Sequence, residues 1–361
     1  MSLPDEYEIT SYHPRMRDQS IDLLRHLLGP DASANRSYFE WKYERNPYTE
    51  TPAAIVALRR GDVAGFRGYF ATRWRIGGRN GPVVVLCPGD TCVHPEHRRV
   101  GLSVAMGRRA MQVYAHRYPI FLNLTAGANS TPGYLRMGFV PVEPKTMLYR
   151  YGGLGLLRFL GTAARARVGH GGAGRVLASP GRTTDLLVSD RPRPEEMLAI
   201  AAARPAPPGR LSLDQDQAFF RWRFDNPRSR YRFYYWRRGG AVCGYAAVGI
   251  SRGRRGRILD LLGSDEAAAE GILERIVAAR HFDVLSVERF HADHGLEPAL
   301  VRLGFRAGGV LAFLERRMRG VYPVLVRPVR EDFTEEDWRL GGLDIRQAGH
   351  WALKGICADD A

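Results

Sequence analysis

The stretch Phe39-Glu-Trp-Lys-Tyr-Glu-Arg-Asn-Pro47 recurs about 180 residues later as Phe220-Arg-Trp-Arg-Phe-Asp-Asn-Pro227. After each copy comes a strand-like run, a short basic turn with glycine, and a second strand: 53–58, 59–62 and 63–69 in the first, 231–236, 237–240 and 241–250 in the second. Further along, Tyr134-Leu-Arg-Met-Gly-Phe139 is echoed by Leu300-Val-Arg-Leu-Gly-Phe305. A spacing this wide exceeds any solenoid unit, so it predicts two copies of one domain fold. Length agrees: 361 residues are more than one small domain needs.

Periodicity in the first copy predicts a strand at 7–11, helices at 14–28 and 35–44, and strands at 53–59, 63–75 and 82–93. A helix at 100–116, a strand at 119–125, a short helix at 130–137 and a closing strand pair to 150 complete it. This is an α/β reading with a mixed sheet. The division is 1–150, a linker at 151–181 rich in Gly, Ala and Arg, a second copy at 182–330, and a tail at 331–361. The linker's apolar start, Leu154–Leu160, reads either as a short helix against the domain interface or as a basic amphipathic helix on a membrane surface. Trp338 and Trp351 predict that the tail packs on the body.

The chemistry concentrates in Cys92-Val-His-Pro-Glu-His-Arg-Arg-Val-Gly-Leu-Ser103, a strand running through a turn into a helix. The first helical N–H groups lack intrahelical partners and sit at the positive dipole end, a ready seat for a diphosphate. Gly101 lets the backbone approach closely; Arg98 and Arg99 add charge that does not titrate away. In the second copy the equivalent segment is Ile258-Leu-Asp-Leu-Leu-Gly-Ser-Asp265-Glu266, whose carboxylates repel a diphosphate. Leu300 also stands near the place of Tyr134. The second copy is therefore expected to be degenerate and unable to bind the cofactor.

These segments resemble the GNAT N-acetyltransferase superfamily. Val93, Pro95, Arg98 and Gly101 fall on its Val-x-Pro strand end and Arg-x-x-Gly acyl-CoA loop, with Ser103 where Gly or Ala is usual; Asn129, Tyr134, Gly138 and Phe139 meet its second signature. The resemblance implies acetyl-CoA as co-substrate, held by Cys92, Val93, His94, Arg98, Arg99, Val100, Gly101, Leu102, Ser103 and Asn129, with no metal. It implies a central strand that splays from its neighbour, so that backbone amides of Cys92 to His94 line the pantetheine arm. Tyr134 takes the place of the general acid. Asp90 takes that of an acidic residue acting as base, or it is a carboxylate capping the turn after Pro88-Gly89. Tyr38 and Trp41 lie where the family borders its acceptor pocket, although the repeated Trp41 and Trp222 also read as packing residues. His94 and His97 read as cofactor contacts or as exposed residues, with catalysis the lesser reading. Cys92 has no local His or Asp partner, which favours packing over a covalent role.

Composition restricts the partners. No apolar run approaches the roughly 20 residues of a membrane span. The first residues have neither the basic start nor the apolar core of a signal peptide. Four cysteines show no metal-ligand spacing, and the expected location is a reducing cytoplasm. The net charge of +15 rests on arginine, with only Lys42, Lys145 and Lys354 as lysines. It favours anionic partners, but the basic residues are scattered and no nucleic-acid motif occurs. The expected activity is N-acetylation of a small primary amine, an amino sugar or similar metabolite. An acyl carrier protein as donor, or a protein or RNA acceptor, is the alternative.

Overall fold

The strand Ala53–Arg59 is apolar at every position but its last, and it is buried on both faces. That is what a central strand covered by helices requires. In a computed structural model describing residues 4–78, 81–152, 185–204, 207–251, 254–290, 295–308 and 323–358, the chain forms two mixed sheets with helices packed on them. The stretch Leu154–Leu160 lies outside the described residues.

The first sheet contains β1 (Tyr7–Ser11), β2 (Ala53–Arg59), β3 (Asp62–Ile76), β4 (Pro82–Val93), β5 (Ile120–Asn123) and β6 (Val140–Pro144). Period two divides β2 between its faces. Ala53, Ile55 and Ala57 join the core beneath α3 (Leu102–Tyr114), while Ala54, Val56 and Leu58 pack under α1 (Arg17–Leu28) and α2 (Ala32–Phe39). Leu102, Met106 and Ala110, one helical turn apart, form the buried stripe of α3. The expected helix at 14–28 begins with a 3-10 turn at Pro14–Met16. The one expected at 35–44 is α2 continued by a π-helical turn, Glu40–Glu44, which buries Trp41, Lys42 and Tyr43 in succession.

Strand β7 (Thr146–Tyr151), expected to close the first copy, instead pairs with β13 (Val284–Arg289) of the second sheet. That sheet also holds β8 (Leu186–Ser189), β10 (Arg230–Arg238), β11 (Ala241–Ser251) and β12 (Arg255–Gly263). In return β14 (Pro323–Pro328) inserts between β5 and β6 of the first sheet. The crossing from one sheet to the other falls at Lys145, which pairs with the buried Glu288 at 3.6 Å. A sequence division at residue 150 therefore separates β7 from the sheet it completes, and a division at 330 assigns β14 to the wrong sheet.

The repeated tryptophans meet at the junction of the copies. Trp41 and Trp222 stack with centroids 5.3 Å apart, and each indole N–H donates to the other's backbone carbonyl, at 2.6 and 2.8 Å. The tail packs as expected: Trp351 is fully buried edge-on to Trp74, and Trp351–Ala352 pair with β9 (Leu211–Leu213) at the end of β3. No helix of the described residues is long and apolar enough to cross a membrane.

Candidate active site

Strands β4 and β5 run parallel but share one register pair, Leu86 with Phe121, and beyond it they part. This is the expected splay. A bulge in β4 accompanies it: Arg67 faces Thr91 and Gly68 faces Gly89, so Asp90 is left over, with φ of 29°. The ladder then decides which amides face the gap. His94 N–H donates to Ala64 O at 2.9 Å. Antiparallel pairs alternate, so His94 and Cys92 spend their amides on β3, while those of Val93 and Thr91 point to the splay. Of the expected Cys92 to His94 donors, Val93 is the one in position.

The turn after β4 delivers its donors to the same place. Arg99, at φ 68°, and Gly101, at φ 92°, bend the chain into α3, and Gly101 is an N-cap without a side-chain hydrogen bond. The leading amides of α3 are thus left for a ligand. A cleft of about 1270 Å³ opens on them, lined by Cys92, Val93, Arg98, Arg99, Val100, Gly101, Leu102, Ser103, Asn129 and Tyr134. His94 is not among the lining residues; its ring stands edge-on to His26, 5.1 Å away. Arg108, Arg109 and Gln112 also line the cleft. With Ala105 they occupy one helical face, a spacing from which periodicity could have found them.

Tyr134 lies on α4 (Thr131–Arg136), and its motif has a mechanical reason. Gly138, at φ 82°, ends the helix: Phe139 N–H donates to Tyr134 O and Gly138 N–H to Leu135 O, a Schellman closure. Phe139 then folds back edge-on against the Tyr134 ring at 4.9 Å. The second copy keeps this closure through Gly304, Phe305 and Leu300 on α8 (Glu297–Arg302), but Leu300 has no hydroxyl. Sequence reading missed Arg67. The residue is 2% exposed, and its guanidinium lies 4.8 Å from the Tyr134 ring centroid and donates to Tyr69 Oη at 2.9 Å and Ser103 O at 3.3 Å. Nothing in the pattern around residue 67 distinguishes it from a surface arginine on a strand.

Asp90 does not suit the role of base. Lys42 Nζ and Tyr43 Oη both donate to its Oδ2 at 2.7 Å. Burial alone would raise the Asp90 carboxyl, but Lys42 and hydrogen bonds from Lys42, Tyr43 and Tyr38 hold it below its ordinary value. A carboxylate so stabilised is a poor proton acceptor. Tyr38 belongs to this network through Lys42, 3.0 Å away, and neither it nor Trp41 lines the cleft; Trp41 is closed in by Trp222. Replacing Lys42 by Met is expected to leave a buried charge unpaired and to destabilise the protein by about 3–5 kcal/mol, measured by urea unfolding at pH 7. The loss should shrink as pH falls through the depressed Asp90 range, because a protonated carboxyl no longer needs its cation. Equal stability of Lys42→Met and wild type at pH 7 would refute this.

Burial raises the Cys92 thiol to about 11, which removes it as a nucleophile at neutral pH. His26, which lines the cleft, is pushed below its ordinary value by desolvation and then by His94, Arg25 and Arg98. His94, Glu96 and His97 bring ligand-type atoms within 4.8 Å of one another.

The second copy closes the same seat from within. Helix α7 (Glu266–Ala278) is capped by Asp265, whose carboxylate accepts from Ala268 N–H at 2.6 Å. A carboxylate of the chain itself thus stands where an anion would bind.

Comparison with known proteins bears on this geometry. Residues 9–142 match the family model of an acetyltransferase (GNAT) domain. A GCN5-related N-acetyltransferase from Anabaena variabilis ATCC 29413 superposes with a TM-score of 0.59 at 14% identity, over 90% of this chain and 73% of that one. For a GCN5-related N-acetyltransferase from Kribbella flavida the values are 0.55, 13%, 89% and 71%. For a conserved protein from Enterococcus faecalis V583 they are 0.61, 9%, 90% and 72%. At these identities the likeness is one of fold. No curated protein matches the chain in sequence.

Proposed function

We propose, from the match of residues 9–142 to the acetyltransferase (GNAT) domain model, that this chain is an acyl-CoA-dependent N-acyltransferase, with acetyl-CoA as donor and the amine of a small metabolite such as an amino sugar as acceptor. The observation that carries this reading is the uncapped start of α3, with Arg98 and Arg99 beside it, opening into one cleft with Tyr134. The amides of α3 and the two arginines hold the diphosphate. Val93 N–H polarises the acyl carbonyl at the splay. Tyr134 gives its proton to the departing sulfur, and the buried Arg67 cation beside it stabilises the negative charge that gathers there. His26, neutral at pH 7, accepts the amine proton through water.

Calorimetric titration with acetyl-CoA tests the reading. One site per chain is expected, abolished by combining Arg98→Ala with Arg99→Ala. Two sites would overturn the account of the second copy, and none would remove acetyl-CoA as donor. An acyl carrier protein remains a second reading, favoured by Arg108, Arg109 and Arg136 along the cleft. Steep loss of activity with salt would support it.

The pH–rate profile separates the two proton-handling groups. Tyr134→Phe is expected to lower kcat about 100-fold while KM for acetyl-CoA changes little. In the wild type, the depressed His26 stays neutral as pH falls past the ordinary histidine value of about 6.5, so activity should persist through that point and fall only further into acid. His26→Ala should flatten this acid limb. A limb unchanged in His26→Ala would assign the base elsewhere.

A further inference from the structure

The degenerate copy keeps an opening where the first copy has its cofactor cleft. A cavity of about 490 Å³ lies between Leu261 and Leu262 near the end of β12, Glu266 at the start of α7, and Leu296 just ahead of α8. With the strand bulges and helix N-caps aligned, these positions correspond to Cys92 and Val93, Leu102 and Ser130 in the first copy. A volume of this size is that of a small-ligand site. The cavity cannot be a second diphosphate seat, since Asp265 already caps α7 and Glu266 adds a further negative charge.

Its chemistry comes from parts the first cleft does not use. Part of the wall is apolar, formed by Leu198 of α5 (Pro194–Ala202), Leu213 of β9, Leu261, Leu262 and Leu296. Four cations line it: Arg75 from β3 of the first sheet, Arg204, Arg210, and Lys354 from the tail. Three carboxylates answer them. Asp214 holds Arg75 at 2.6 Å, Asp260 holds Lys354 at 3.0 Å, and Glu266 is the third. Asp260 has no exposed side-chain surface and is fixed by Tyr245 and Gln215, each at 2.6 Å. Gln215 also accepts from Lys354 at 3.3 Å, so this polar end of the cavity is built from buried, mutually bonded groups. The lining itself thus carries four cations and one carboxylate, Glu266, beside its leucines, while Asp214 is shared with Arg73 outside the cavity.

We propose that this cavity is a second ligand site, distinct from the cofactor cleft, which takes a monocarboxylate with an apolar body. The apolar part lies against the leucines and the carboxylate meets the arginine and lysine side chains. The site is composite, needing the first sheet, the second copy and the tail together, so its ligand reports on how the two copies are joined.

The test is calorimetric titration with decanoate, with saturating CoA present so that the first cleft is filled. One decanoate per chain is expected, with 1-decanol binding at least tenfold more weakly. Ala202→Trp, an exposed wall position, and the charge reversal of Arg204→Glu with Arg210→Glu should each weaken decanoate at least tenfold while CoA affinity is kept. Retained CoA affinity shows that the variants are folded. Absence of saturable binding, equal affinity for decanol, or affinity untouched by both variants would overturn the proposal.

Discussion

A chain cut after residue 150 is expected not to fold, although it holds every motif that marks the acetyltransferase domain. The reason is the exchange of strands. β14 pairs on one side with β5, Leu325 opposite Asn123 and Pro328 opposite Ile120, and on the other side with β6. Val324, Leu325 and Val326 are fully buried there, each contributing roughly 1.5–3 kcal/mol of apolar burial. Without β14, β5 and β6 lose the strand between them and present open edges. The fragment would also carry β7 with no sheet to join, and Trp41 would lose Trp222. Losses of this size are comparable to the 5–15 kcal/mol that typically stabilises a whole domain. Size-exclusion chromatography and circular dichroism of the fragment check this; a monomeric, cooperatively melting product would show that the exchange is dispensable. Co-expression with residues 182–361 should restore a soluble complex, because the missing strand returns in trans.

Gly101→Asp is expected to abolish acetyl-CoA binding, lowering affinity at least about 100-fold, by giving the first copy the feature that closes the second. The N-cap of α7 is Asp265, and its carboxylate takes the amide of Ala268; the N-cap of α3 is Gly101, with no side chain and nothing within 4 Å of a Cβ placed there. An aspartate at 101 brings negative charge to the donors a diphosphate needs, and each charge-assisted hydrogen bond lost costs about 1.5–3 kcal/mol. A φ of 92° also strains any other residue. Gly101→Ala isolates that strain and should cost about tenfold or less. If the two variants lost affinity equally, backbone conformation rather than charge would control the seat.

The cofactor turn and the Tyr134 motif were legible in sequence because their chemistry is local. Cys92 to Ser103 is a strand end, a turn and a helix start within a dozen residues, and Gly138 and Phe139 fix Tyr134 through hydrogen bonds spanning one helical turn. The repeat was legible for the same reason. Asp90 stayed open between base and structural carboxylate because its partners Lys42 and Tyr43 lie nearly fifty residues away, on a π-helical turn that periodicity takes for ordinary helix. Trp41 was offered to the acceptor pocket because the pattern shows an aromatic side chain but not the face it meets.

What the sequence determined by itself is the repeated fold and the difference between its copies: glycine before one helix and aspartate before the other, tyrosine on one and leucine on its counterpart. Such features act through the nearest backbone, so neighbouring residues suffice to read them. Only the tertiary structure decided that β7 and β14 change places, that Arg67 lies buried beside Tyr134, and that Trp41 and Trp222 close on each other. Strand order and buried charge are settled by which distant surfaces exclude water together, and contacts across some 180 residues leave no local trace in the chain.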